Sequence, residues 1–237
     1  MPTHRGQSNK LAKQKARRAE LKKKQAKAQA ARTPHALLRR AHEFPIHKLW
    51  LSQGWRDDNE ELPELVTALM TRRRGLTTLL CMALVDRTCL GVKSGFARVV
   101  SDEELDRVLR QTHEMHGGVE EVDLPTWQSV VFHAIDYASS LGFQPDPDFP
   151  MSFIGPRPET LLDTPLSTPK QPIYAQGPDD DADFVIGRLM AVKGKDFRAV
   201  IGQEYGRPVL FDPSGENPVE PLFDIDDLVD GKELEDE

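Results

Sequence analysis

The stretch LVTALMTRRRGLTTLLCMALV, residues 65–85, decides the fold. Two apolar runs, Leu65–Thr71 and Leu76–Val85, flank the polar connection Arg72-Arg73-Arg74-Gly75. A short polar link ending in Gly between two such runs predicts a β-hairpin. The second run is apolar on both faces, which predicts a strand covered on both sides, deep in a sheet.

Outward from the hairpin, Asp86-Arg87-Thr88 reverses the chain into Cys89–Val92, and Phe96–Val100 continues as extended structure. Ser101 with Glu104 three residues later is a capping box. It opens a helix that turns Leu105, Val108 and Leu109 inward and stops at Gly117-Gly118. Pro125 suits the first turn of a second helix. Trp127, Val130, Val131, Ala134, Ala138 and Leu141 recur at three-four spacing, and Gly142 closes it. The Pro-rich segment Phe143–Gln176 reads as an irregular wrap. A third helix starts within Asp179–Asp183, carries Phe184, Val185, Leu189 and Met190, and ends at Gly194. Phe197–Ile201 and Pro208–Phe211 read as strands around a turn. Upstream of the hairpin, Phe44–Ser52 reads as a strand, Gln53–Glu61 as polar turns containing Trp55, and His35–Glu43 as a short helix able to dock on the body.

These elements predict an α+β fold: a mixed sheet around a central hairpin, covered by two or three helices. Flanking it are a disordered or helical basic arm over residues 1–40 and an acidic tail over residues 218–237, with a single α+β domain over residues 44–212. At 237 residues the chain is long enough for one full core.

Charge divides the chain sharply. Residues 1–40 hold thirteen Lys and Arg against one acid, Glu20, a balance of +12, while the remainder balances at −19. From Gln7 to Thr33 the arm has no Gly or Pro but only two large apolar residues, Leu11 and Leu21. Such a segment lacks a core-facing stripe and suits a solvated or frayed helix that orders on a partner. Arg17, Arg18, Lys22, Lys23 and Lys24 are the candidate contacts to RNA or DNA phosphates. With no aromatic residue to stack on bases, the arm would follow the backbone rather than read sequence. A plain solubilising terminus is one competing reading, and a targeting segment is another, since Lys22-Lys23-Lys24 resembles a nuclear signal. The acidic tail carries nine acids against Lys232. It could fold back on the arm or be simply solvated.

No run of about eighteen apolar residues is present, and the N-terminus lacks the apolar stretch of a secretory signal. Two cysteines, Cys81 and Cys89, then read as reduced thiols. The expectation is a soluble cytoplasmic protein without a membrane partner; the oligomeric state is left open.

The candidate chemistry lies at Asp86, Cys89 and Lys93: an acid, a thiol and an amine within eight residues at a strand exit. Strand exits are where α/β-type sheets often place ligands, and a nearby Lys can lower a Cys pKa. A Cys between Thr and Leu equally suits a small buried hydrophobe, and Lys93 could pair with Asp86. His113 and His116 stand at the wrong spacing for a zinc helix. His133, Asp136 and Tyr137 share one side of the second helix, able to line a cleft or to form its polar edge. The acids from Asp179 to Asp183 suit a helix N-terminus without a metal. Neither a metal nor a cofactor is expected. The chain has no P-loop, no Gly-x-Ser-x-Gly, no dinucleotide fingerprint and no CxxC.

Several of these segments together resemble an uncharacterised bacterial family. They are Pro45–Trp55, Leu84–Lys93 (LVDRTCLGVK), Tyr137–Pro145 (YASSLGFQP) and Gly177-Pro178-Asp179-Asp180, within a span from Phe44 to Ile201. Ser94 departs from the family pattern, which tends to Asp after the lysine. The resemblance implies a bacterial cytoplasmic protein of one domain and supplies no reaction.

Three functions follow as expectations. The first is a non-catalytic nucleic-acid-associated protein acting through its arm. The second is a small-molecule binder or enzyme using the Asp86/Cys89/Lys93 corner. The third is an adaptor presenting an exposed Trp55 or the Phe143–Gln176 wrap.

Overall fold

Strands β2 (Leu65–Arg74) and β3 (Thr77–Asp86) pair antiparallel from Leu65 opposite Asp86 to Arg74 opposite Thr77. A computed structural model describes residues 17, 20, 22–23, 33–57, 65–165, 169–204, 207–211 and 213, with backbone alone at 202–204 and 207–211. The hairpin turn is Gly75-Leu76, with Gly75 at φ +59°, a conformation that favours glycine. The expected four-residue connection is therefore two residues. Arg72 lies inside β2 and is buried, its guanidinium donating to the Phe44 and Phe153 carbonyls, both at 2.8 Å, and resting over the Phe153 ring.

The hairpin belongs to a five-stranded sheet of order β4-β3-β2-β1-β5, with β1 at Ile46–Ser52, β4 at Gly91–Val100 and β5 at Val119–Glu121. Every pairing in it is antiparallel. Tight turns join β2, β3 and β4, and such turns reverse direction each time. The α+β class expected from the sequence holds, and its parallel pairing lies elsewhere. A second, three-stranded sheet has β6 (Ile173–Ala175) parallel to β7 (Arg198–Glu204), which pairs antiparallel with β8 (Arg207–Phe211).

Five α-helices accompany the sheets among the described residues: α1 (Pro34–Leu38), α2 (Asp102–His116), α3 (Leu124–Ser140), α4 (Met151–Ile154) and α5 (Ala182–Lys193). The Ser101–Glu104 capping box forms in both directions at the start of α2, which ends at Gly117 in the left-handed region. Asp123 caps α3, its carboxylate accepting from the Thr126 amide. The two long helices cover opposite faces of the main sheet. Val66, Ala68 and Met70 pack with Trp127, Val130, Val131 and Ala134 of α3. Leu69 and Leu80 pack with Trp50, Leu105 and Val108 on the α2 side. This two-face burial accounts for the apolar character of β2 and β3 on both sides.

The parallel β6–β7 pair needs a crossover, which α5 supplies. A separate cluster unites Tyr174, Val185, Leu189, Phe197 and Ala199 with Cys89, Ala138, Leu141 and Phe143. The second sheet thus leans on the C-terminal end of α3 and on the β3–β4 corner. In α5, Val185 and Leu189 point inward as expected, whereas Phe184 and Met190 are exposed at 63% and 42%. A helix leaning on a single neighbour hides only one stripe.

At the N-terminal side, Thr33 caps α1, and Leu37, Leu38 and Ala41 pack on the main core. Thr33 to Arg40, the last eight residues of the expected arm, therefore lie with the body. Most of residues 1–32, and all of 214–237, lie outside the described residues. Among the described residues no helix is long and apolar enough to cross a membrane.

Candidate functional site

The β3–β4 corner is shaped by one carboxylate. Asp86, the last residue of β3, is buried, and its Oδ1 accepts from the Thr88 amide at 3.0 Å, the Thr88 hydroxyl at 3.1 Å and the Cys89 amide at 2.9 Å. An Asp side chain reaching the amides two and three residues on folds the chain into a tight turn. Asp86 Oδ2 has no hydrogen-bond partner among the described residues. Burial raises the carboxyl above the ordinary carboxylate range, against the opposing pull of the Leu90 and Thr88 amides and of the Lys93 charge.

The turn then grips the second sheet. The Thr88 carbonyl accepts from the Ile173 amide at 3.1 Å, and the Thr88 hydroxyl lies 2.9 Å from the Ile173 carbonyl. That hydroxyl has one proton for two acceptors, Asp86 Oδ1 and the Ile173 carbonyl, so it serves one of them at a time. Arg87 points the other way, donating to the Trp55 carbonyl at 3.0 Å and reaching those of Gly54 and Asp57. Gly91 restarts the strand at φ +70°, and a Cβ there would lie 2.9 Å from Ala138 Cβ. Helix α3 passes too close for any larger residue.

Lys93 completes the corner. Its Nζ lies 2.6 Å from Asp180 Oδ2 and 2.9 Å from the Ala175 carbonyl, above the Tyr174 ring. The same Asp180 oxygen accepts from the Gly177 amide at 2.7 Å and the Tyr174 hydroxyl at 3.2 Å. A Cβ at Gly177 would fall 2.9 Å from Lys93 Nζ, so a larger residue would displace the lysine head from this position. The Tyr174 hydroxyl is pushed up by burial and by the Asp180 charge.

Cys89 is 0% exposed and packed among Ala138, Leu141, Phe143 and Tyr174. Burial, then the charge of Asp86, holds its thiol well above the ordinary thiol range, and Lys93 only partly opposes them. The three sequence candidates are thus brought together in space, but each is spent on structure. Asp86 shapes the turn, Cys89 fills the second core, and Lys93 pairs with Asp180 rather than with Asp86. In this geometry the corner is a clamp between the two sheets. A thiolate nucleophile would require it to open.

The other candidates resolve in the same way. His116 Nε2 lies 3.0 Å from the Thr67 hydroxyl. His133 Nε2 lies 2.8 Å from the Leu162 carbonyl, and Asp136 pairs with Arg157 at 2.6 Å. The wrap therefore covers this edge of α3, where a cleft was the alternative. Asp181 caps α5 through the Phe184 amide. Trp55, read as a candidate exposed surface, is buried at 7%, with its Nε1 donating to Glu120 and the Arg56 guanidinium over its ring. Strand β5, which carries Glu120, escapes the sequence reading because three residues leave no periodicity.

No protein-family model, no curated protein and no solved structure matches the chain. The site must therefore be read from its own residues. Asp180 and Tyr174 are the partners that sequence reasoning missed. Their one signal was the Gly177-Pro178-Asp179-Asp180 turn, whose link to Lys93 depends on β6 lying beside the corner. Of the arm candidates, Arg17, Lys22 and Lys23 have helical backbone and exposed side chains. Arg18 and Lys24 lie outside the described residues.

Proposed function

We propose that this is a non-catalytic, cytoplasmic, nucleic-acid-associated protein whose basic arm contacts the phosphate backbone of RNA or DNA. The observation that carries the reading is the separation of charge: +12 over residues 1–40 against −19 over the rest. A cationic stretch of this density displaces counterions from a polyanion, and its affinity falls steeply with salt. The exposed placement of Arg17, Lys22 and Lys23 supports it, since exposed cations can meet a phosphate. The acidic body repels the same polyanion, which would leave binding to the arm.

The rival reading, a reactive corner at Asp86, Cys89 and Lys93, asks for an accessible thiol of lowered pKa. The burial of Cys89 and the upward shift of its pKa weigh against it.

The test is direct. Full-length protein and a variant with Arg17, Arg18, Lys22, Lys23 and Lys24 changed to Gln are titrated with a labelled RNA and a labelled DNA duplex at about 50 mM salt and again at about 200 mM. The reading expects tight binding by the natural protein, a fall of at least tenfold in the variant, and a shallower salt dependence. Equal binding by the two proteins would overturn it.

A further inference from the structure

One end of the main sheet gathers cations beside the place where the arm joins the body. Arg39, the C-cap of helix α1, and Arg40 after it are both exposed. The β2–β3 turn brings Arg73 and Arg74 to the same end, because the Arg73 amide donates to the Pro45 carbonyl at 3.0 Å. The two pairs of arginines meet at Glu43. Arg40 holds its carboxylate through Nε at 2.7 Å and Nη2 at 2.5 Å, while Arg74 Nη2 donates to its carbonyl. The Arg74 guanidinium also stacks over the Phe44 ring, 4.9 Å from its centroid. The Glu43 carbonyl and the Phe44 ring thus hold it, and the residue is exposed. Arg39 makes no ion pair among the described residues, and Arg73 reaches Asp102 at 3.2 Å. Among the described residues, Glu43 and Asp102 are the carboxylates paired with these four guanidinium groups. Exposed pairs of this kind are weak and exchange readily for a better anion.

Beyond these arginines stands Leu76, at the tip of the hairpin and 98% exposed. Gly75 before it takes the left-handed conformation of the two-residue turn, which places Leu76 at the tip. Arginines at one end of the sheet, with a projecting apolar side chain at the hairpin tip, suit a ligand with repeating anions and flat apolar faces between them. A nucleic acid has both, and arginine forks match phosphate oxygens in pairs.

We infer that Arg39, Arg40, Arg73, Arg74 and Leu76 form a second binding surface for the nucleic acid that the arm engages. The arginines bind consecutive phosphates, and Leu76 lies against sugar or base. This rests on the reading of the arm proposed above. It adds a docking surface on the body that sets where the strand lies once the arm has captured it.

The test uses full-length protein with two probes, a labelled single-stranded RNA and a labelled DNA duplex of about 20 nucleotides or base pairs, titrated between about 50 and 300 mM salt. Arg73→Gln/Arg74→Gln and Leu76→Ser are compared with the natural protein. Circular dichroism checks their folding, and Arg39→Gln serves as a second variant outside the hairpin. The double variant is expected to weaken binding about tenfold and to lower the salt slope by about two, one for each phosphate that is no longer neutralised. Leu76→Ser is expected to weaken binding severalfold with the slope unchanged, and more on the single strand than on the duplex. Unchanged affinity and slope in all three variants, with the arm variant still impaired, would overturn this inference and leave the arm reading standing. Failure of the natural protein to bind either probe at the lowest salt would overturn both.

Discussion

Lys93 Nζ lies 2.6 Å from Asp180 Oδ2, and both side chains are largely shielded from water. This pair joins β4 of the main sheet to the segment leading into α5. A charge left behind in such surroundings is costly, whereas the intact pair contributes little net.

Lys93→Met should therefore destabilise the protein by about 3 kcal/mol, and Asp180→Asn by a similar amount, because each strands one charge. The double change Lys93→Met/Asp180→Asn should recover much of that loss. Urea unfolding of the four proteins gives the coupling. Additive losses would mean that the two groups do not act as a pair.

Asp86 makes stability depend on pH in a stated direction. Its folded-state pKa is raised by burial, so the native state holds its proton at a pH where the unfolded chain has released it. The corresponding stabilisation is complete below the unfolded value of about 4 and is lost as pH rises through the folded value. Relative to Asp86→Asn, the natural protein should lose stability on going upward from about pH 4. The check is the difference in unfolding free energy between the two proteins across that range. A constant difference would place the Asp86 carboxyl at its ordinary pKa.

Neither thiol should react in the native state. Cys89 is raised well above the usual range, and Cys81 is pushed up to about 12, in both cases first by burial. An aromatic disulfide reagent near neutral pH should label both only on unfolding, at a rate set by opening. Rapid native labelling of Cys89 would revive the reactive-corner reading.

Gly91→Ala should cost about 3 kcal/mol. The residue sits at φ +70°, and its new methyl would lie 2.9 Å from Ala138 Cβ and 3.1 Å from the Ala134 carbonyl. Adding Ala138→Gly relieves only the first clash, so it should restore part of the loss measured by thermal unfolding. Full rescue would show that backbone strain contributes nothing.

Much of the secondary structure was readable because its signals are local. The Ser101–Glu104 capping box, Pro125 at a helix start, and the stripe from Trp127 to Leu141 each act over one or a few turns, and each appears where expected. The hairpin was legible for the same reason, as was the separation of charge between arm and body. The sequence alone therefore determined the α+β character, the main helices and the cationic arm with its candidate residues.

Only the tertiary structure decided what the corner does. Nothing near Lys93 in the chain announces Asp180, because the two meet only when β6 pairs in parallel with β7 and carries the Gly177 turn alongside β4. The same holds for Arg72, read as part of a polar link but buried against Phe44 and Phe153, and for Trp55, enclosed once β5 brings Glu120 beside it. Local propensity and periodicity sense neighbours a few residues away. Whether an acid, a thiol and an amine form a reactive site or a clamp depends on which distant surface closes over them and removes the water.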